Sequence, residues 1–321
     1  MNTGYTAAVI GLGRIGASYP SHGIPRTHTA AYLKHSKVSL IAGIDPDTQA
    51  RKNFRLQWGD EVNLFHSIDD MFLSGLHPDI VSICTKPETL QINIQDIIKK
   101  PPKILFLEKP TVSTKEQSDQ ILKIAGNIPT AINYHRCWDP KIRSFFDNLT
   151  DKKILTVRVL YTKGMLNYAS HIIALLISNF DEVISVAKVS NEKENLAIAD
   201  QSYHFIIHFK KGFSATFQGF DNINYDLLET DFITESGIYS LKSGGCRQRF
   251  EKPVDNAFYP NYSSLIDSNL NIEDSQVGGL EQAVVNIVDF LDNKVDKLDC
   301  DLKCGLKVFN IIDQVKDLYK L

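Results

Sequence analysis

The stretch Ala7-Ala-Val-Ile-Gly11-Leu-Gly13-Arg14-Ile15-Gly16 runs a short apolar strand into three glycines spaced G-x-G-x-x-G, and nothing else in the chain restricts the fold so tightly. The first glycine permits a tight turn and the second lets backbone approach a pyrophosphate. The third lets a helix pack on the strand, with free helix N–H groups facing the anion. The motif alone is weak evidence, but the residues downstream of it strengthen the reading. An irregular patch rich in Ser, Pro, Gly and His (residues 19–27) leads to a helix over 29–34 and a second apolar strand over 38–44, which closes on Asp45. An acid there is placed to hold a ribose 2′-hydroxyl and repels a 2′-phosphate, so NAD(H) is expected over NADP(H). Gly16 and Asp45 lie further apart than the usual ~20 residues, and the irregular patch accounts for the excess. The plainer reading of Asp45-Pro46-Asp47 is a turn and a helix cap.

Alternation continues, with helices expected over 49–57, 68–73, 89–99 and 115–125 and strands over 80–84, 103–107 and 129–133. Strands separated by helices of this length predict a parallel, doubly wound sheet. The strand over 103–107 runs into Leu105-Phe-Leu-Glu108-Lys109-Pro110, two opposite charges at the carboxyl edge where open α/β sheets bind ligands. The competing reading is a solvated turn, the ordinary fate of Lys and Glu. After Pro140 the pattern changes to strands over 154–162, 203–209, 213–220 and 231–241, with turns at Lys211-Gly212 and Ser236-Gly237, so a largely antiparallel sheet is expected. Amphipathic helices over 280–291 and 302–318 close the chain. The expected division is a dinucleotide-binding domain over 1–130 and a substrate-binding and oligomerisation domain over 131–321.

A chain of 321 residues, 43% hydrophobic and 23% charged, can bury two cores. Its net charge of −3 and the absence of a dense Lys/Arg block argue against nucleic acid or an anionic membrane as partner and favour a small molecule. The first strand begins almost at once, and the longest apolar run, residues 172–177, is too short to span a bilayer, so a cytoplasmic address is expected. Five scattered cysteines do not form a disulfide framework. Cys300 and Cys304 lie four apart but lack the further ligands of a zinc set, and no metal site is expected.

Taken together, these pieces resemble the family of glucose-fructose oxidoreductase, inositol dehydrogenase and the rhizopine-catabolism oxidoreductases. The matching blocks are residues 11–16, Ala42-Gly-Ile-Asp45, Ile83-Cys-Thr85-Lys86-Pro87, Glu108-Lys109-Pro110, Asn133-Tyr-His-Arg136-Cys137-Trp-Asp-Pro140, and Ser170-His171 before an apolar helix. The resemblance implies an α/β chain with an N-terminal Rossmann domain. A C-terminal α+β domain would follow, with a large, mostly antiparallel open sheet whose outer face often makes a dimer, so a homodimer or homotetramer is expected. It implies NAD contacts from Gly11, Gly13, Arg14, Ile15, Gly16 and Asp45, and further ones from Thr85, Lys86, Pro87, Glu108, Lys109 and Asn133. Glu108 would meet the nicotinamide ribose. Lys109 would hydrogen-bond the reacting sugar oxygen, and His171 would act as acid or base. His171 opens a helix, where the dipole disfavours imidazolium. Lys109, Arg136, Lys163, Asn167 and His171 would meet substrate.

Two departures stand out. The family's Asp-x-Gly-x-His-x-x-Asp block is here Asn167-Tyr-Ala-Ser-His171-Ile-Ile-Ala174, without either carboxylate, and Cys137 replaces the second Arg of the Asn-x-x-Arg-Arg block. Asn167 can hydrogen-bond or cap a helix but cannot stabilise an imidazolium by charge. Relatives from surface-polysaccharide pathways relax this block near a Lys-Gly such as Lys163-Gly164, so altered chemistry is expected rather than none. Arg247, Arg249 and Lys252 could reach a diphosphate, although such a run more often marks a solvated strand end. The expected activity is hydride transfer between nicotinamide and a carbinol carbon of a sugar or nucleotide-linked sugar, with Lys109, His171 and Asn167 as catalytic residues. The alternatives are an NAD-retaining glycosidase or lyase and a non-catalytic dinucleotide sensor.

Overall fold

The computed structural model describes residues 4–20, 23–180, 182–189, 200–221, 223–268 and 278–319. Two compact units emerge, one of residues 1–139 and 278–309, the other of residues 140–277 and 310–321. The sequence suggests a boundary at 130/131. The first unit instead keeps the turn after the sixth strand and takes back residues 278–309, which pack on it late in the chain.

In the first unit, in chain order, β1 (Tyr5–Ile10), α1 (His28–Lys34), β2 (Val38–Ile44), α2 (Thr48–Trp58), β3 (Asn63–Phe65) and α3 (Ile68–Leu73) make one half. The other half is β4 (Ile80–Ile83), α4 (Pro87–Ile97), β5 (Ile104–Leu107), α5 (Lys115–Ala125), β6 (Thr130–Ile132) and the short α6 (His135–Trp138). All six strands pair in parallel in the order β3-β2-β1-β4-β5-β6. Helices on both faces explain why the central strands read as unbroken apolar runs: every residue of β4 and β5 is buried. Ser82 in β4 is the polar exception, fully buried. Asp292, beyond the late helix, accepts hydrogen bonds from the Tyr5 hydroxyl (2.8 Å) and the Lys37 ammonium (2.6 Å), pinning that helix to the start of the sheet. Cys137, Cys300 and Cys304 are buried in this unit, and thiol–thiol hydrogen bonding and burial push the Cys300 thiol well up.

The second unit carries α7 (Pro140–Asp147), β7 (Ile154–Tyr161), α8 (Ser170–Phe180), β8 (Val183–Lys188), β9 (Phe205–Phe209) and β10 (Ser214–Gly219). It continues with β11 (Leu228–Thr234), β12 (Gly237–Lys242), β13 (Arg247–Asp255) and β14 (Ser263–Asp267). Eight strands order as β14-β13-β12-β11-β7-β10-β9-β8, antiparallel throughout except for β7 with β10. One face is apolar: Phe146, Phe180, Phe213 and Phe232 meet with ring centroids 5.3–6.0 Å apart. Against it lies α8, whose residues 170–177 are all buried, as an all-round apolar helix requires. The opposite face holds charge. Asp231 is nearly sealed there, and although burial pushes its carboxyl up, Ser240, Arg158 and Lys242 hold it below the usual range. Helices α9 (Gly279–Leu291) and α10 (Leu302–Leu318) complete the chain. No helix among the described residues is long and apolar enough to cross a membrane.

Candidate active site

The three glycines of the turn meet different surroundings. Gly11 takes φ +88°, and a Cβ there would lie 2.9 Å from the Cys84 carbonyl oxygen. A Cβ on Gly16 would come within 1.9 Å of the Gly11 carbonyl oxygen, so only glycine closes the loop. Gly13 differs, because a Cβ on it would meet nothing within 4 Å. Its freedom from a side chain answers no need of the fold and leaves open space beside the exposed backbone, room that a pyrophosphate would need.

After Gly13 comes one π-helical turn, Arg14–Ser18, in which the Ala17 and Ser18 N–H groups both donate to the Gly13 carbonyl (2.9 and 3.1 Å). Pro20, Gly23 and Pro25 then forbid continuation. Helix α1 starts afresh at Thr27, whose hydroxyl caps the Ala30 N–H (3.0 Å). The turn is held from outside by the Thr29 hydroxyl on the Gly16 carbonyl (2.8 Å) and the Trp58 indole on the Ala17 carbonyl (3.0 Å). Arg14 stacks on Tyr19, 4.6 Å from the ring centroid; Ile15 lies between them in the turn.

At the end of β2, Asp45 Oδ2 accepts the Leu12 N–H (2.8 Å) and Oδ1 the Asp47 N–H (2.9 Å). The capping role falls to Asp47, which accepts the Gln49 N–H (2.8 Å). Arg51, which no sequence motif singles out, donates to the Asp45 carbonyl (2.5 Å) and the Thr48 hydroxyl (3.1 Å).

At the ends of the next strands, Thr85 accepts from the Asn93 amide (3.0 Å), and Lys86 and Pro87 begin α4. Glu108 is the centre of a polar cluster. Its Oε1 accepts the Asn133 amide (2.5 Å) and His28 Nε2 (2.9 Å), and its Oε2 accepts the Lys109 N–H (3.3 Å). His28 is fully buried, and its Nδ1 lies 2.7 Å from Ser82 Oγ, which lies 2.6 Å from the Tyr32 hydroxyl. Burial raises the Tyr32 phenol, so it stays protonated. Burial also lowers the His135 imidazole well below its usual value, with Arg136 and Lys109 adding cationic repulsion. Sequence reasoning misses the cluster, although one signal is available: a serine within an otherwise apolar central strand must find a partner.

In the second unit Lys163 (φ +59°) and Gly164 (φ +85°) turn the chain out of β7. The Lys163 ammonium pairs with Asp226 (2.6 Å), and this hydrogen bond raises its pKa. A π-helical turn, Met165–Ala169, then runs into α8. Asp200, distant in sequence, accepts the Leu166 N–H (2.8 Å) and the Asn167 N–H (2.9 Å). Asp200 therefore satisfies two backbone N–H groups ahead of α8, and a Cβ on Gly164 would lie 2.2 Å from the Asp200 carboxyl group. Asn167 is exposed and His171 is buried. Arg249, within β13, is committed to Glu251 (3.0 Å) and Asp267 (2.9 Å), which favours the solvated-strand reading of that run.

A parallel sheet in 3-2-1-4-5-6 order, with a glycine turn after β1 and an acid after β2, defines a dinucleotide-binding α/β protein. Residues 5–128 match the model of GFO_IDH_MocA, the oxidoreductase family with an NAD-binding Rossmann fold, and this part of the chain belongs to that family. No curated protein sequence matches the chain significantly. Among solved structures, UDP-N-acetylglucosamine 3-dehydrogenase GnnA from Acidithiobacillus ferrooxidans is similar in fold, with TM-score 0.77 and 13% identity over 98% of this chain and 97% of that one. The WlbA dehydrogenase from Bordetella pertussis, solved with NADH and UDP-GlcNAcA, gives 0.73 and 14% over 99% and 97%. An oxidoreductase from Agrobacterium radiobacter, in complex with NAD+, L-tartaric acid and magnesium, gives 0.75 and 13% over 99% and 97%.

Proposed function

We propose that the chain is an NAD-dependent dehydrogenase that moves a hydride between nicotinamide C4 and a carbinol carbon of a sugar, most specifically a nucleotide-linked sugar of surface-polysaccharide synthesis. The observation that carries this is the Glu108–Lys109 pair at the carboxyl end of β5, in the same parallel sheet that ends in the open backbone at Gly13. Bound at that edge, the nicotinamide supplies or accepts the hydride. Gly11 and Gly16 close the turn, Gly13 leaves room for the pyrophosphate, and Asp45 holds the ribose. Thr85, Lys86 and Pro87 border the path, with Glu108 and Asn133 at its inner end. The Lys109 ammonium donates to the reacting oxygen and stabilises charge that develops on it. His171 takes up or returns the proton, and Asn167, Lys163 and Arg136 contact the sugar. The nucleotide-sugar class is supported by likeness in fold to GnnA and WlbA, whose names and ligands include UDP-linked amino sugars. A cytoplasmic homodimer or homotetramer completes the proposal.

The test is Lys109→Met, assayed by NADH fluorescence titration and by NADH formation with a panel of UDP-sugars. NADH affinity should hold while turnover falls by a factor of about 100 or more, as for a lost proton-transfer or oxyanion partner. Unchanged turnover would remove Lys109 from the mechanism.

A further inference from the structure

We propose that His28 is a positioning residue for the Glu108–Lys109 strand end, acting as a neutral imidazole that carries its proton on Nε2. The proposal rests on the reading of Lys109 given above and adds a residue that the sequence motifs do not include. It starts from four side chains of the first unit that form one continuous line: Tyr32 hydroxyl, Ser82 Oγ, His28 and the Glu108 carboxylate, with successive separations of 2.6, 2.7 and 2.9 Å. Tyr32, Ser82 and His28 are all fully buried, so water does not complete their hydrogen bonds.

For the neutral ring proposed, counting donors sets the direction of the line. A carboxylate only accepts, so the nitrogen facing Glu108 must carry a proton, and that nitrogen is Nε2. In a neutral ring Nδ1 is then an acceptor, and its partner, the Ser82 hydroxyl, must donate to it. The Ser82 oxygen is left to accept the Tyr32 hydroxyl proton, which is available because that phenol stays protonated. Every proton in the line has one acceptor, and each points toward Glu108. The opposite direction would set an Nε2 lone pair against a carboxylate and leave the Tyr32 proton without a place in the line.

Serine, histidine and acid in this order have the composition of a hydrolytic triad, but the geometry excludes that use. Ser82 lies inside central strand β4, fully buried, where no substrate carbonyl reaches it. The line works in the other direction, from the core toward the strand end. His28 and Asn133 hold one oxygen of Glu108 and thereby aim the other at the Lys109 N–H (3.3 Å). Two donors on one oxygen leave the carboxylate little freedom to rotate. Lys109 thus leaves the sheet from a backbone fixed to the core through α1, and the groups that position a catalytic lysine need such rigid support.

Nitrogen-15 NMR of histidine-labelled wild-type protein reads the tautomer directly. The His28 ring should be neutral with its proton on Nε2, and either a doubly protonated ring or a neutral ring protonated on Nδ1 would overturn the proposal without any variant. Hydrogen exchange at the Lys109 amide is the second measurement, made in His28→Leu, which removes the donor, and in His28→Gln, whose amide can donate from the same place. Leu should speed exchange at Lys109 by about tenfold or more while the β4 and β5 core amides keep wild-type rates, and Gln should restore protection. Exchange at wild-type rate in the Leu variant, or equal loss in both variants, would sink the idea. Turnover separates this proposal from the one beneath it. If Lys109→Met abolishes turnover and His28→Leu leaves it intact, the positioning role falls and Lys109 stands. If Lys109→Met is fully active, Lys109 falls, and the exchange data still decide whether His28 orients Glu108.

Discussion

Gly13→Ala and Gly16→Ala are the same chemical change three residues apart, and the structure assigns them opposite consequences. At Gly16 the new Cβ would stand 1.9 Å from a backbone oxygen, where ordinary contact is 3.4–4 Å. No rotamer relieves a clash with main chain, so the turn must open. The cost belongs at or above the ~1–3 kcal/mol typical of overpacking. At Gly13 the backbone is extended (φ −70°, ψ −158°) and the methyl meets nothing. Alanine there should leave the free protein as stable or raise it by about 0.4–1 kcal/mol, through lost freedom of the unfolded chain. The methyl would stand where a pyrophosphate must approach, so NADH affinity should fall at least about tenfold, or ~1.4 kcal/mol. Thermal unfolding with and without NADH measures both quantities. At a concentration about 100 times its dissociation constant, NADH should stabilise wild type by ~2.7 kcal/mol, and a variant binding tenfold more weakly by only ~1.4 kcal/mol. A Gly13→Ala protein that binds NADH as wild type does would show that the open space at Gly13 is not the pyrophosphate site. A Gly16→Ala protein of wild-type stability would refute the contact geometry itself.

Two further substitutions probe other parts of the structure. Asp200→Ala strips the carboxylate from the Leu166 and Asn167 N–H groups and should cost about 2 kcal/mol in urea unfolding, the worth of a hydrogen bond to a charged group, with Asp200→Asn recovering part of it. Burial and two neighbouring cations hold the His135 imidazole well below its usual value. The unfolded chain therefore binds a proton below pH ~6.5 that the folded chain refuses, and stability should fall as the pH drops through that value. His135→Gln should flatten this slope in a pH series of unfolding midpoints, and an unchanged slope would place the titration elsewhere.

The parallel sheet was legible because burial on both faces and the glycine spacing both leave marks in a linear sequence. Its site was half legible for the same reason. Gly11, Gly16, Asp45, Glu108 and Lys109 lie next to the strand ends that define them, so position along the chain gave position in space. His28 and Asp200 were not legible, because each acts across a distance the sequence does not express, whereas Arg51 bonds only three and six residues back and belongs to no motif that would mark it. His28 reaches Glu108 eighty residues on, and Asp200 reaches back 33 residues to Asn167. The boundary near residue 130 failed for a topological reason: the late segment 278–309 returns to the first unit, and local composition does not announce a return.

If the end of β2 reads the ribose as proposed, Asp45 and Arg51 together set the choice between NAD and NADP, and they act in opposite directions. An ionised carboxylate offers about four acceptor positions. The Leu12 and Asp47 N–H groups engage one on each oxygen, so Asp45 can brace both loops and still accept a ribose diol. A 2′-phosphate arriving there would meet that carboxylate, but it would also meet the Arg51 guanidinium, held against the Asp45 carbonyl and the Thr48 hydroxyl. An arginine so placed can accommodate a 2′-phosphate. With both present, NADH should bind about tenfold or more tighter than NADPH, because the anion lies in the path of the phosphate and the cation beside it. Arg51→Ala should widen that ratio by weakening NADPH alone. Asp45→Asn should collapse it, since the amide still accepts from Leu12 yet no longer repels a phosphate. Fluorescence titration of the three proteins with both reduced cofactors decides the matter. A ratio that does not move in Asp45→Asn would mean that the end of β2 does not read the ribose. A ratio that moves there but not in Arg51→Ala would leave the carboxylate as the only discriminating charge.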